Sequence, residues 1–160
     1  MKEKVLAFLT QAHIPFEVTQ HSAVYTMAQM EALGLDRLGP IPKNLFVRDG
    51  KGRQHFLITA AKDTPIDLKE LGDKLGVKKL SFASAERLQT YLGVTAGCVS
   101  PFGVLNDCQN AVTVVFDSAL ADLPKIGVHP NKNDSTLWIS FHELYNAIQL
   151  AGNPVRIVDL

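Results

Sequence analysis

The sequence predicts an α+β fold: a central, mostly antiparallel sheet that curls towards a partial barrel, with helices packed on it. Three observations carry that expectation. Strand-like and helix-like segments are interleaved, but without the strict alternation that builds a parallel sheet. Two β-rich runs, NLFVRD and QHFLITA, flank the turn GKGR, and a connection that short forces the strands it joins to be antiparallel. The remaining strand-like runs are brief, which lets the sheet curl. With 160 residues, of which 46% are hydrophobic, the chain is long enough to bury a core as one domain, residues 1–160. No Gly/Ser/Pro-rich linker, internal repeat or low-complexity segment divides it.

The elements follow from periodicity and caps. KEKVLAFLTQAH places Val5, Leu6, Leu9 and Ala12 on one helical stripe. IPFEVTQH reads as a short strand. TMAQMEALG reads as a short helix, with Thr26 and Gln29 at capping-box spacing and Gly34 as its stop. After the hairpin, DLKELGDKLG is a helix capped by Asp67 with Glu70 and ended by Gly76. KLSFA is a brief strand, and SAERLQTYLG is a helix between the cap Ser84 and Gly93. AVTVVFD is a buried strand by its β-branched run. TLWIS is a strand ending at Ser140, which pairs with Glu143 as a capping box for FHELYNAIQLAG. VRIVDL closes the chain as an edge strand.

The totals exclude several classes of function. Lys+Arg and Asp+Glu both number 16, so the formal net charge is zero, which argues against a broad basic surface but leaves room for a local patch. Cys98 and Cys108 are too few for a disulfide framework and have no histidine nearby in sequence for a zinc site. Nothing resembles a signal peptide, and the apolar runs are too short to span a bilayer, so a soluble cytoplasmic protein with no membrane partner is expected. GxxxxGK[ST], GxGxxG, HExxH, CxxC and GxSxG motifs are all absent, and nothing calls for a metal or an organic cofactor.

Three stretches look costly for folding alone. In PKNLF, Lys43 and Asn44 stand at the entrance to a strand. Lys43 is either a solvated charge there or a cation aimed at a ligand anion or carbonyl oxygen. GVTAGCVSPFG, residues 93–103, holds three glycines and a proline. It is either a tight connection or a loop whose backbone N–H groups line a small pocket. GVHPNKND, residues 127–134, is either a hydrophilic turn or a support for His129 as a general acid, base or donor. His13, His21, His55 and His142 are scattered and read as surface or packing residues.

Taken in order, PKNLFVRDGKGRQHFLITA, LSFASAERLQTYLGVTAGCVSPFGVLND and GVHPNKNDSTLWIS resemble the signature blocks of the YbaK-like aminoacyl-tRNA editing domains. Within that group the chain is most similar to the free-standing prolyl-tRNA editing proteins, relatives of the domain inserted in bacterial prolyl-tRNA synthetase. The resemblance runs from HSAVYT to PVRIVDL. It implies a deacylase that hydrolyses mischarged tRNA, most typically alanine on the proline tRNA, with the acceptor end of tRNA as partner and a transient contact with prolyl-tRNA synthetase. It implies Lys43 and His129 as the catalytic residues. Asn44, Gly97, Ser100, Pro101, Phe102 and Asn131 are implied to bind substrate. Pro42 departs from the pattern, since a small polar residue is expected before the lysine. A deacylase for cysteine or serine, and a non-catalytic module that binds tRNA or the synthetase, are the alternatives.

Ester hydrolysis needs donors for a tetrahedral oxyanion, and the Gly97–Gly103 backbone and Lys43 qualify. A ribose hydroxyl of the substrate is a candidate activator of water. Ala96, Gly97 and Cys98 suit a narrow pocket wall. Lys51, Arg53, Lys74, Lys78 and Lys79 are either tRNA contacts or ordinary solvated surface.

Overall fold

The computed structural model describes residues 2–160. Two sheets share one core. The first has strand order β1 (Glu17–Gln20), β7 (Ser135–Ile139), β6 (Ile126–Val128), with both pairings antiparallel. The second has five strands in the order β4 (Ser81–Phe82), β2 (Lys43–Arg48), β3 (His55–Ala60), β5 (Val112–Asp117), β8 (Val155–Val158). Its β4–β2 and β2–β3 pairings are antiparallel, and β3–β5 and β5–β8 are parallel. Antiparallel pairing therefore prevails, as the hairpin predicted. The single central sheet is instead divided in two, and no barrel closes. The reason is local: β1, β6 and β7 pair only with one another, so the short strands close on themselves rather than extending the larger sheet.

Side-chain alternation assigns each face. Phe46, Leu57, Val112, Val114 and Phe116 point from the larger sheet into the main core, where they meet Ile126, Val128, Leu137 and Ile139 of the smaller one. The helices α1 (Lys2–Gln11) and α5 (Phe141–Ala151) close this core with Val5, Leu9, Phe141, Leu144 and Ile148. The opposite residues Val47, Phe56, Ile58 and Val115 meet Leu71 and Leu75 of α3 (Leu68–Leu75). Trp138 points the other way from Leu137 and packs with Met30 of α2 (Met27–Ala32), Val24, Leu35 and Ile41. β3 is buried at all six positions, which is why it lacks polar–apolar alternation and even its polar His55 and Thr59 are buried.

The N-cap residues hold as read, but the return bonds of the capping boxes do not form among the described residues, and Gln29 Oε1 accepts from Tyr25 N instead of Thr26 N. Thr26, Asp67, Ser84 and Ser140 each accept a hydrogen bond from the first turn of their helix. Two elements differ from expectation. SAERLQTYLG makes one α turn, α4 (Ala85–Arg87), and then widens into a π turn over Leu88–Leu92, burying both leucines at its ends. β6 was unmarked in the sequence because it has three residues with a glycine in the middle. It makes the GVHPNKND turn the connection of a β6–β7 hairpin, and so fixes where His129 stands. Among the described residues no helix is long and apolar enough to cross a membrane.

Candidate active site

A cleft of about 170 Å³ opens where the three stretches meet. Pro42, Lys43 and Asn44 enter it from the start of β2, and Ala96, Gly97 and Val99 from the loop after α4. Gly127, Val128 and His129 enter from the end of β6, and Val24–Met27 and Met30 close the remaining wall from α2 and the segment before it. A larger hollow of about 630 Å³ adjoins it and shares Met27, Met30, Ile41 and Pro42 as a partition. The smaller cleft is the candidate site, because Lys43, Asn44 and His129 line it and none of them lines the larger one.

Lys43 stands at the junction of the two. Its Nζ donates to the carbonyl of Thr64, a residue on the wall of the larger hollow. That wall is held in turn by Asp117, which is buried at the end of β5. Asp117 Oδ2 accepts from Ala61 N (3.1 Å) and Thr64 Oγ1 (2.9 Å), and Oδ1 accepts from Ala119 N (3.1 Å). One acceptor thus tethers the lysine, and its other two N–H bonds have no partner among the described residues. Asn44 faces Thr59 across β2–β3 and its Oδ1 accepts from Thr59 Oγ1 at 2.7 Å, which leaves its amide N–H groups to donate.

His129 has an orienting partner that the sequence did not reveal. Its Nδ1 lies 3.3 Å from the carbonyl of Ser135, and a carbonyl only accepts, so Nδ1 carries the proton and Nε2 is the basic nitrogen. Burial pushes the pKa of this imidazole below its ordinary value, with the Ser135 carbonyl acting the other way and His21 lowering it further. The ring is therefore neutral at neutral pH.

The loop is narrower in its offer than the sequence suggested. The N–H groups of Cys98, Phe102 and Gly103 are taken by Thr95 O, Ser100 Oγ and Ser100 O. The N–H of Val99 has no partner among the described residues. Gly97 lies under the ring of Tyr25, and a Cβ there would come within 2.9 Å of Tyr25 Cδ1.

Of the residues implied by sequence, Lys43, Asn44, Gly97 and His129 come together at the cleft. Ser100, Pro101, Phe102 and Asn131 do not line it. Ser100 and Phe102 are fully buried, Pro101 starts the 3-10 turn behind the wall, and Asn131 Nδ2 donates to Phe102 O at 3.0 Å. Asn131, with φ of 63°, ties the β6–β7 turn to the loop. Asn133 does the same to the far wall, its Nδ2 donating to Val24 O at 2.8 Å. Tyr25, Met27, Thr64 and Asp117 were not found from sequence. Tyr25 and Met27 line the cleft themselves, and Thr64 and Asp117 reach Lys43 only through contacts that the fold makes.

Comparison with known proteins identifies the family. Residues 21–146 match the aminoacyl-tRNA editing domain family. The chain is 46% identical to the prolyl-tRNA editing protein ProX of Acetoanaerobium sticklandii over 159 residues, 99% of this chain and 97% of that protein. It is 30% identical to the prolyl-tRNA synthetase associated domain-containing protein 1 of Danio rerio over 151 residues, 93% of this chain and 82% of that one. Among solved structures, that of hypothetical protein APE2540 superposes with a TM-score of 0.77 at 20% identity, covering 97% of this chain and 98% of the other, a likeness of fold. The chain belongs to the aminoacyl-tRNA editing domain family.

Proposed function

We propose that this protein is a trans-editing deacylase that hydrolyses the ester of mischarged tRNA, with alanyl-tRNA(Pro) as its substrate. One observation carries the reading: Lys43, Asn44 and His129, distant in sequence, converge with Gly97 on a single small cleft. Near full-length similarity to a prolyl-tRNA editing protein supports the choice of substrate. The whole chain then acts as one editing domain, working in the cytoplasm on the acceptor end of tRNA, with a transient contact to prolyl-tRNA synthetase.

The chemistry follows from the donors and acceptors present. Water attacks the ester carbonyl, a C–O bond to the ribose breaks, and the leaving oxygen takes a proton, giving free amino acid and tRNA. Lys43 and the Val99 N–H supply positive charge to the developing oxyanion, and the Asn44 amide orients the ester. Nε2 of neutral His129 accepts a proton from the attacking water or from the neighbouring ribose hydroxyl. Lys43 at the partition places the ester there, with the amino acid in the small cleft and room for the nucleoside in the larger hollow. The discrimination needed is of size. A synthetase site built for proline rejects alanine by only about 1–3 kcal/mol, so a second site that admits the smaller group supplies the rest.

The test is deacylation of alanine-charged proline tRNA. Lys43→Ala is expected to slow hydrolysis by about 10²–10³-fold, as loss of an oxyanion donor does elsewhere. Hydrolysis at the wild-type rate would remove Lys43 from the mechanism. A panel of other charged tRNAs in the same assay fixes the aminoacyl group.

A further inference from the structure

The chain is electrically neutral as a whole, but its cations are unevenly used. Lys2, Lys62, Lys74 and Lys132 each pair with a carboxylate. Six others converge on the β2–β3 turn without any carboxylate partner among the described residues. Lys51 and Arg53 belong to the turn and are exposed. Arg48 Nη1 donates to the carbonyls of Asp49 (3.0 Å) and Gly50 (3.3 Å), and Arg87 Nη1 donates to that of Gly52 (3.2 Å). Lys78 accepts Gly50 N through its carbonyl at 3.0 Å, and a Cβ at Gly50 would lie 2.9 Å from Cβ of Lys79. The one carboxylate in the turn, Asp49, is buried and occupied by the N–H groups of Arg53 (2.8 Å) and Gln54 (3.1 Å).

Three further features mark this end of the molecule. Lys79 holds a left-handed backbone with φ of 58°, a conformation that a non-glycine side chain rarely adopts and that glycine or asparagine would take more cheaply. The glycines at 50 and 52 let the neighbouring cationic side chains close on the turn, since added Cβ atoms would meet Lys79 and Arg87 within 3.0 Å. Phe82, 61% exposed on the edge strand β4, pairs with Val47, one residue before Arg48, and so presents an apolar side chain on the sheet face opposite to that of Arg48.

We propose that the β2–β3 turn, with Lys51, Arg53, Lys78 and Lys79 and supported by Arg48 and Arg87, docks the phosphate backbone of an RNA duplex. Resting on the deacylase reading, that duplex is the acceptor stem behind the 3′ end held in the cleft. Distance suits the assignment. Asp49 lies about 20 Å from Lys43 along β2, at roughly 3.4 Å per residue, so a short unpaired 3′ end bridges the two sites. Recognition there is by backbone charge and duplex shape, since the turn offers cations and no side chain long enough to read a paired base in the deep groove of A-form RNA. Lys74 is excluded from the surface, because it pairs with Glu70 and donates to Asp159 O at 2.7 Å.

The experiment compares the wild type with Lys51→Gln/Arg53→Gln/Lys78→Gln/Lys79→Gln and with a control, Lys69→Gln/Lys74→Gln. Affinity for uncharged proline tRNA is measured by fluorescence anisotropy across a salt series. In parallel, kcat/KM is measured on the full aminoacyl-tRNA and on alanine esterified to adenosine, which lacks a stem. The four-site variant should bind tRNA at least about 10-fold more weakly, with a log–log salt slope smaller by about 2–4, roughly one per phosphate contact removed. Its kcat/KM should fall on the full substrate and hold on the adenosine ester. The control should match the wild type throughout. Unchanged affinity and slope, an equal loss in the control, or an equal loss on the adenosine ester would each overturn the proposal. A wild type that cleaves neither ester would instead defeat the deacylase reading, and the anisotropy arm would still judge the surface.

Discussion

At the scale of single residues the candidate site rests on three polar side chains, Lys43, Asn44 and His129, each held by a partner that the fold supplies. His129 is half-buried, its Nδ1–H is committed to Ser135 O, and its pKa lies below the ordinary 6.5. A base that must be neutral to act then stays competent on the acid side of pH 6.5. The acid limb of the deacylation profile should fall below that value, and an NMR titration of the His129 ring should share its midpoint. A ring that titrates above 6.5 would contradict the burial argument. Lys43 and Asn44 could be marked in the sequence because a Lys-Asn pair opening a strand is an unusual expense. Their supports could not. Thr64 reaches Lys43 with a backbone carbonyl, which carries no residue signature, and Asp117 reaches Thr64 across 53 positions of chain. Ser100, Phe102 and Asn131 were read as substrate contacts from their place in a motif. Their burial and mutual hydrogen bonds make them the frame behind the cleft.

At the scale of elements, local signals carried the most. Caps, hairpin glycines and β-branched runs depend on a few neighbouring residues, and they were legible. The π turn after α4 and the three-residue strand β6 were not, because each is imposed by packing on residues far away in sequence. Two glycines that line the cleft separate structure from function at this scale. On β6, a Cβ at Gly127 would lie 2.6 Å from Trp138 Cζ3 and 2.9 Å from Thr136 Cγ2, both on buried β7. Gly127→Ala should therefore destabilise by about 1–3 kcal/mol, the ordinary range for overpacking, as a lower midpoint in urea. Gly97→Ala meets Tyr25, which is 70% exposed and free to swing away. Its unfolding free energy from urea titration should change by no more than about 0.5 kcal/mol, while deacylation slows because the added methyl narrows the wall. Equal losses of stability in the two variants would show that Tyr25 is as fixed as Trp138.

At the scale of the whole molecule, the two sheets are bound through one core, so a charge introduced at either sheet is felt by global stability. Two histidines occupy such places. His55 is 1% exposed, its ring packs at a tilt against Tyr91 with centroids 4.0 Å apart, and its Nε2 accepts from Arg87 Nη1 at 2.8 Å. Burial and the Arg87 charge both push its pKa down, as burial does for His129. In the unfolded chain both rings regain the ordinary 6.5. Below that pH the unfolded state binds more protons than the folded one, so stability is fully present above 6.5 and declines as the pH falls towards the folded values. The carboxylates do not confuse this window. Asp49 and Asp134 are held below their ordinary 3.8, so the stability they contribute is lost only further into acid. The urea midpoint should accordingly drop between about pH 7.5 and about pH 5, and the drop should shrink in His55→Gln/His129→Gln. Glutamine keeps an acceptor for Arg87 but cannot take up a proton in this range. An undiminished drop in the double variant would place the acid sensitivity elsewhere in the molecule.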